Sequence, residues 1–157
     1  MLLTLNSKNF KKEFIMISNP IKNRVLLNST YKIIFYSDTN HTSRGLYINF
    51  KLDKVHITRY YKKIKCFFGK ETNKKIINNL LKIEKDILKI DSHDKPKFKL
   101  KEQIQRGFLK INNNEFNEDL EDLIFVMKIS GIWNNKKNSG LTFRFFIFNH
   151  EENLGFP

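Results

Sequence analysis

The hydrophobic period of this chain changes once, and that change limits its folds more than any other feature. In Leu46–Leu52 the residues Leu46, Ile48, Phe50 and Leu52 alternate with Tyr47, Asn49 and Lys51. A period of two is that of a strand with one buried face. Between Thr72 and Ile90 the apolar residues Ile76, Ile77, Leu80, Leu81, Ile83, Ile87, Leu88 and Ile90 recur at spacings of three and four, as on an amphipathic helix. Thr72 is the expected N-cap, and the polar run Asp91-Ser92-His93-Asp94 before Pro96 is the expected end.

Strand-like segments stand on both sides of this helix. Before it come Tyr31–Tyr36, a loop of turn formers from Ser37 to Gly45, then Val55–Tyr61 and Ile64–Phe68, the last ended by Gly69. After it come two weaker strands, Phe98–Leu100 and Gly107–Ile111, and an acidic turn region from Glu115 to Asp122. The last pair, Leu123–Trp133 and Leu141–Phe148, flanks the hairpin loop Asn134–Gly140. Strands, one main helix, then more strands is the order of a mostly β, OB-fold-like, partly open five-stranded barrel. An RRM would need a second helix of comparable strength. Residues 1–29 read as an N-terminal extension with one short strand at Phe14–Ile17, residues 30–150 as the folded domain, and residues 151–157 as a short acidic and aromatic tail.

The 157 residues carry 29 Lys and Arg against 16 Asp and Glu, a net charge of +13. Self-repulsion of that size is relieved by a polyanion, either nucleic acid or an anionic surface. Part of the excess has another origin. The chain has no alanine, 24 Lys to 5 Arg, and 19 each of Asn and Ile, the usage of an A+T-rich genome. The charge total is therefore weaker evidence than its placement.

Several function classes find no support. Cys66 is alone, which excludes an internal disulfide and suits a reducing compartment. No apolar run approaches a membrane span, and the opening Met1–Leu5 is too short for a signal peptide, so a cytoplasmic protein is expected. His41, His56, His93 and His150 form no metal-type pair, and no phosphate-cradling or nucleophile-elbow motif occurs. The carboxylates Glu115, Glu118, Asp119, Glu121 and Asp122 fit an acidic linker better than a Mg²⁺ site. A non-catalytic protein without cofactor or metal is expected.

Single-stranded nucleic acid needs cations along its phosphates and rings under its bases, each stacked base contributing roughly 1–3 kcal/mol. The chain interleaves the two. Tyr47 and Lys51 lie on the polar face of the 46–52 strand, and Arg59, Tyr60, Tyr61, Lys62, Lys63, Lys65 and Phe67 follow within nine residues. One of Tyr60 and Tyr61 must point the other way, because neighbouring strand residues alternate. In Leu141–Phe148, Phe143 lies on one face with Leu141 and Phe145. Arg144 and Phe146 lie on the other, which is either covered like the first or open for binding. Lys128 shares that ambiguity on the partner strand. Trp133, at the loop edge, is the stronger stacking candidate.

The segment 129–146 adds a resemblance. Gly131-Ile132-Trp133, a short polar loop and Gly140-Leu141-Thr142-Phe143-Arg144-Phe145 resemble a terminal hairpin of single-stranded-DNA-binding proteins from A+T-rich cytoplasmic replicons, meaning large DNA viruses and the linear plasmids of yeasts. The resemblance covers about 18 residues and implies an OB-like fold and a role on exposed single strands in replication. The end His150–Pro157 resembles a docking peptide for replication proteins, although a frayed end fits its two carboxylates better. The expected ligand is therefore single-stranded DNA, or RNA, bound with weak sequence preference. The rivals are an RNA-binding or duplex-DNA-binding regulator, and a structural or interaction protein whose charge is mutational drift.

Overall fold

The computed structural model describes residues 2–24, 28–117, 122–149 and 154–155. In chain order the first strands are β1 (Leu2–Leu3), β2 (Leu5–Asn6), β3 (Ile15–Ile17), β4 (Ile21–Lys22) and β5 (Thr30–Ser37). Next come β6 (Thr42–Arg44), β7 (Leu46–Phe50), β8 (His56–Tyr60) and β9 (Lys63–Phe67). Helix α1 (Lys74–Asp91), β10 (Pro96–Lys97) and helix α2 (Lys99–Gln105) lead into β11 (Phe108–Ile111), β12 (Ile124–Asn134), β13 (Ser139–Phe148) and β14 (Leu154–Gly155). The protein is mostly β, with two helices among the described residues and an open sheet.

The main sheet path runs β2-β7-β12-β13-β11-β9-β8, seven strands where five were expected. Neighbours are antiparallel except at β2–β7 and β11–β13. Strand β12 organises the path. Its first half, Phe125–Ile129, pairs with β7, and its second, Gly131–Asn134, pairs with β5 after a bulge between Ile129 and Gly131. A bulge bends a strand and increases its twist, so one strand serves two partners. Of the described strands before β5, β2, β3 and β4 join this framework. β2 pairs with β7, β3 and β4 pair with β5, and Phe10, Phe14, Ile15 and Ile17 pack partly on the core.

The pleat of β7, β12 and β13 sends alternate residues to opposite sides. Ile48, Phe50, Phe125, Met127, Ile129, Phe145 and Ile147 go to the core, where Ile77, Leu80, Ile83 and Ile87 of α1 meet them. Phe50 stacks on Phe125 with centroids 5.6 Å apart and meets Phe145 edge-on at 6.2 Å. Burial of this kind drives folding, and truncating a fully buried Phe typically costs about 3–5 kcal/mol.

Three local expectations are corrected. Asn73, not Thr72, is the N-cap of α1, and its side chain does not cap the helix. Its amide instead bonds the backbone of Asp53 and Gly69, tying the β7–β8 turn to the helix start. The loop Ser37–Gly45 is a hairpin, with β6 paired to β5 and Asp38 Oδ1 accepting from the backbone N–H groups of Asn40 and His41. Phe98–Leu100 is not a strand but the entry to α2. Leu100 and Ile104, four residues apart, are both buried, and Gly107 at φ +84° ends the turn.

Helix α2 is held from outside. The Glu84 carboxylate on α1, fully buried, accepts from the backbone N–H groups of Leu100 at 2.8 Å and Lys101 at 3.1 Å. It does what an N-cap side chain does, from another helix. Burial pushes its pKa up to about 7, against the lowering effect of those two bonds.

Candidate nucleic-acid interface

Residues directly opposite on neighbouring strands share a face, so the register shows which site residues meet. Tyr47 of β7 pairs with Lys128 of β12, and Lys128 pairs with Arg144 of β13. The three form a row on the side of the sheet away from the core. Lys128 Nζ lies 5.6 Å from the Tyr47 ring centroid, within cation–π reach. In the next row Asn49, Val126 and Phe146 are aligned, and Ile124 and Phe148 stand beyond them. Ile124 and Val126 are buried beneath Tyr47 and Phe148, so this outer side has a small apolar base of its own. Phe146 is half-buried and Arg144 exposed.

The other end of this face carries two rings seated on glycines. Along β13 the residues Gly140, Thr142, Arg144, Phe146 and Phe148 share the outer side. Trp133 pairs with Gly140 and with Tyr31 of β5, and its ring lies against Gly140 so closely that a Cβ there would meet Cζ2 at 2.6 Å. The Tyr31 ring covers Gly131 in the same way, and its hydroxyl lies 3.2 Å from Ser130 Oγ. Glycine inside a strand often marks such a close approach. Trp133 is therefore half-buried and flat on the sheet. Phe143, on the core side, packs partly against the core.

A second group lies on β8, β9 and β11. Tyr60 pairs with Lys63, and Lys65 with both Thr58 and Lys110, while Phe67 pairs with His56 and Phe108. Tyr60 and Tyr61 are 71 % and 89 % exposed, so neither turns toward the core: Tyr61 lies in the turn after β8, where strand alternation no longer applies. Tyr61, in the turn, packs edge-on against Tyr60 at 4.6 Å. Lys65 Nζ stands 4.7 Å over the Phe108 ring, and Phe67 meets that ring at 5.7 Å. Neither Phe108 nor Lys110 was singled out in the sequence.

The two groups occupy the same side of one sheet. Ile111 of β11 pairs with Phe145 of β13, both facing the core, so Lys110 and Arg144 face outward. At this level the strands present Tyr47, Lys128, Arg144, Lys110 and Lys65 in order from β7 to β9. Two expected members, Arg59 and Lys51, join neither group. Arg59 pairs with core-facing Ile64, and its guanidinium lies 4.6 Å over the Phe116 ring on the other side. Lys51 follows the end of β7 and is exposed in the turn toward β8.

The remaining chemistry is sparse. The Cys66 thiol is buried, and burial pushes its pKa up to about 12, which keeps it protonated. No group of three or more His, Cys, Asp or Glu with metal-binding geometry occurs among the described residues. Glu118, Asp119 and Glu121 of the acidic segment lie outside those residues, as does the proposed docking peptide apart from Leu154–Gly155, whose backbone pairs with β1. No described helix is long and apolar enough to cross a membrane. No family model matches the chain, and no curated protein or solved structure is significantly similar to it.

Proposed function

We propose that this chain is a non-catalytic, weakly sequence-specific binder of single-stranded nucleic acid, with single-stranded DNA as its ligand and replication as its setting. One observation carries the reading: rings and cations share the outer side of one sheet, Tyr31, Trp133 and Tyr47 standing beside a file of cations, Lys128, Arg144, Lys110 and Lys65. Flat rings offer a stacking surface to any base, and neighbouring cations can follow the phosphates. Duplex readout would call instead for an element shaped to enter a groove, with donors aimed at base edges. An OB-like reading of the fold belongs to the same proposal. A long strand bent at a bulge and a helix between β9 and β11 support it, while the seven-strand path and α2 depart from the five-stranded pattern.

The test is a titration of Trp133 fluorescence with oligo(dT), oligo(U) and duplex DNA across a salt series. Lys63, Lys65, Lys110, Lys128 and Arg144 supply four or five phosphate contacts, so log K should fall with log salt at a slope near −3, about −0.7 per contact on single strands. Tighter binding to duplex than to oligo(dT), or binding indifferent to salt, would overturn the reading.

A further inference from the structure

Beyond the Ile111–Phe145 pair, a crevice opens between β11 and β13, and helix α2 forms its third wall. It encloses about 270 Å³. Phe108 and Phe143 contribute rings, with Phe143 also packed partly on the core. Arg106 and Lys110 are exposed lining cations. Glu102 also lines the crevice, but Lys99 lies 3.6 Å from its carboxylate and offsets its charge.

Gln103 makes this crevice more than a basic cleft. Its Nε2 is buried and donates to no partner among the described residues. A shielded amide donor without an acceptor is costly, and native structures rarely keep one without a reason. Here the donor belongs to a residue of the crevice wall, between rings and cations. An occupant that satisfies all three features has a flat face for the rings, a carbonyl acceptor for the amide and a phosphate for Arg106 and Lys110. A nucleotide with a carbonyl-bearing base has all of them.

We infer that the β11–β13 crevice takes one unstacked base of the bound strand, the Gln103 amide turning out of its shielded position to donate from Nε2 to a base carbonyl while Arg106 and Lys110 hold the adjoining phosphate. The inference rests on the proposed function and deepens it. Lys110 belongs to the outward row, and Phe143 adjoins outward-facing Arg144, so a strand crossing the sheet reaches the crevice without leaving it. A base held here is read on its edge, whereas a base stacked on Trp133 is not. A preference for thymine over an abasic site at one position is therefore expected within otherwise sequence-tolerant binding.

The experiment uses the full chain, with thymidine monophosphate and deoxyribose 5-phosphate as separate probes in an NMR titration, and oligo(dT) affinities for Gln103→Leu and Trp133→Ala. Thymidine monophosphate should shift Phe108 and Phe143 resonances, and the sugar phosphate much less. Gln103→Leu should weaken the mononucleotide and oligo(dT) about tenfold, the loss of one hydrogen bond, without lowering the melting temperature. Trp133→Ala should weaken oligo(dT) while leaving the mononucleotide-induced shifts of Phe108 and Phe143 in place. Equal binding of the two probes would overturn the inference and reduce the crevice to a cation cluster. Oligo(dT) binding that falls with Trp133→Ala but not with Gln103→Leu would overturn it too, leaving the proposed function standing. Failure of oligo(dT) to bind the unaltered chain would overturn both.

Discussion

The outer side of β7, β12 and β13 and the exposed flank of α1 are both basic, yet they differ in what accompanies the charge. The helix exposes Lys74, Lys75, Lys82, Lys85 and Lys89 and contains no aromatic residue. Lysine is a good helix former and keeps a surface soluble, so an A+T-biased chain would place it there without any ligand. The sheet places Lys128 against Tyr47 and sets Arg144 between Thr142 and Phe146, with the Trp133 and Tyr31 rings on glycines nearby. Charge marks both regions. Only the sheet pairs charge with rings on a common side.

On the outer side of the sheet the largest expected effect comes from filling the seats of those rings. A Cβ at Gly131 would collide with the Tyr31 ring and with the backbone carbonyl of Lys32, which cannot swing aside. Gly131→Ala should therefore cost about 3 kcal/mol of stability, at the upper end of overpacking penalties, and should weaken oligonucleotide binding as well. Thermal melts and titrations on this variant check both. An alanine in the exposed flank of α1, such as Lys82→Ala, should leave both within error.

The helix side is sharpened by Glu84, where pH should act on folding and not on binding. Its folded pKa of about 7 lies above its ordinary value, so the folded state holds a proton that the unfolded chain releases. Its stabilising contribution is full below about pH 4.5 and is lost as pH rises to 7, a change of up to about 3 kcal/mol. The neighbouring charges are Lys101 and Glu102 on α2 and Lys82 and Lys85 on α1. Denaturant melts should show stability falling over that window, and Glu84→Gln should flatten the fall while leaving oligonucleotide affinity unchanged.

Trp133→Ala comes next. If its free face stacks a base, binding weakens by roughly 1–3 kcal/mol. The ring is only half-buried, so the stability loss should stay well below the 3–5 kcal/mol typical of a core aromatic. Phe125→Ala, on the core side of the same strand, should give that core-sized loss. A Trp133→Ala variant that melts like Phe125→Ala would make the ring a packing element.

How far these regions could be read from sequence depended on how local their causes are. The alternation in 46–52 and the period of 72–90 are set by the core-facing residues of one element each, and Leu46–Phe50 and Lys74–Asp91 lie within two residues of those bounds, although Asn49 on the other side of β7 is buried as well. The hairpin around NNKKNSG is local as well, with Asn135 Oδ1 accepting from the backbone of Lys137 and Asn138. Helix α2 was missed because its N-terminal donors are met by Glu84, 16 residues away on another helix. The signal was a carboxylate within the buried stripe Ile77, Leu80, Glu84, Ile87. Arg59 was misplaced for a simpler reason: if Tyr60, Lys65 and Phe67 face outward, the strand pairing sends Arg59 inward. Tyr31 was missed because it meets Trp133 through a pairing across about 100 residues, although two glycines in strands near an aromatic residue were a visible clue.

The most direct test of the central claim removes equal amounts of charge from the two regions in separate variants. One variant carries Lys65→Gln, Lys128→Gln and Arg144→Gln, and the other carries Lys82→Gln, Lys85→Gln and Lys89→Gln, so the net charge falls equally in both. Oligo(dT) titrations across a salt series should show the log–log slope of the sheet variant shallower by about two units, three contacts at about 0.7 each, with the helix variant close to the unaltered chain. Equal losses in both variants, or a greater loss in the helix variant, would contradict the account.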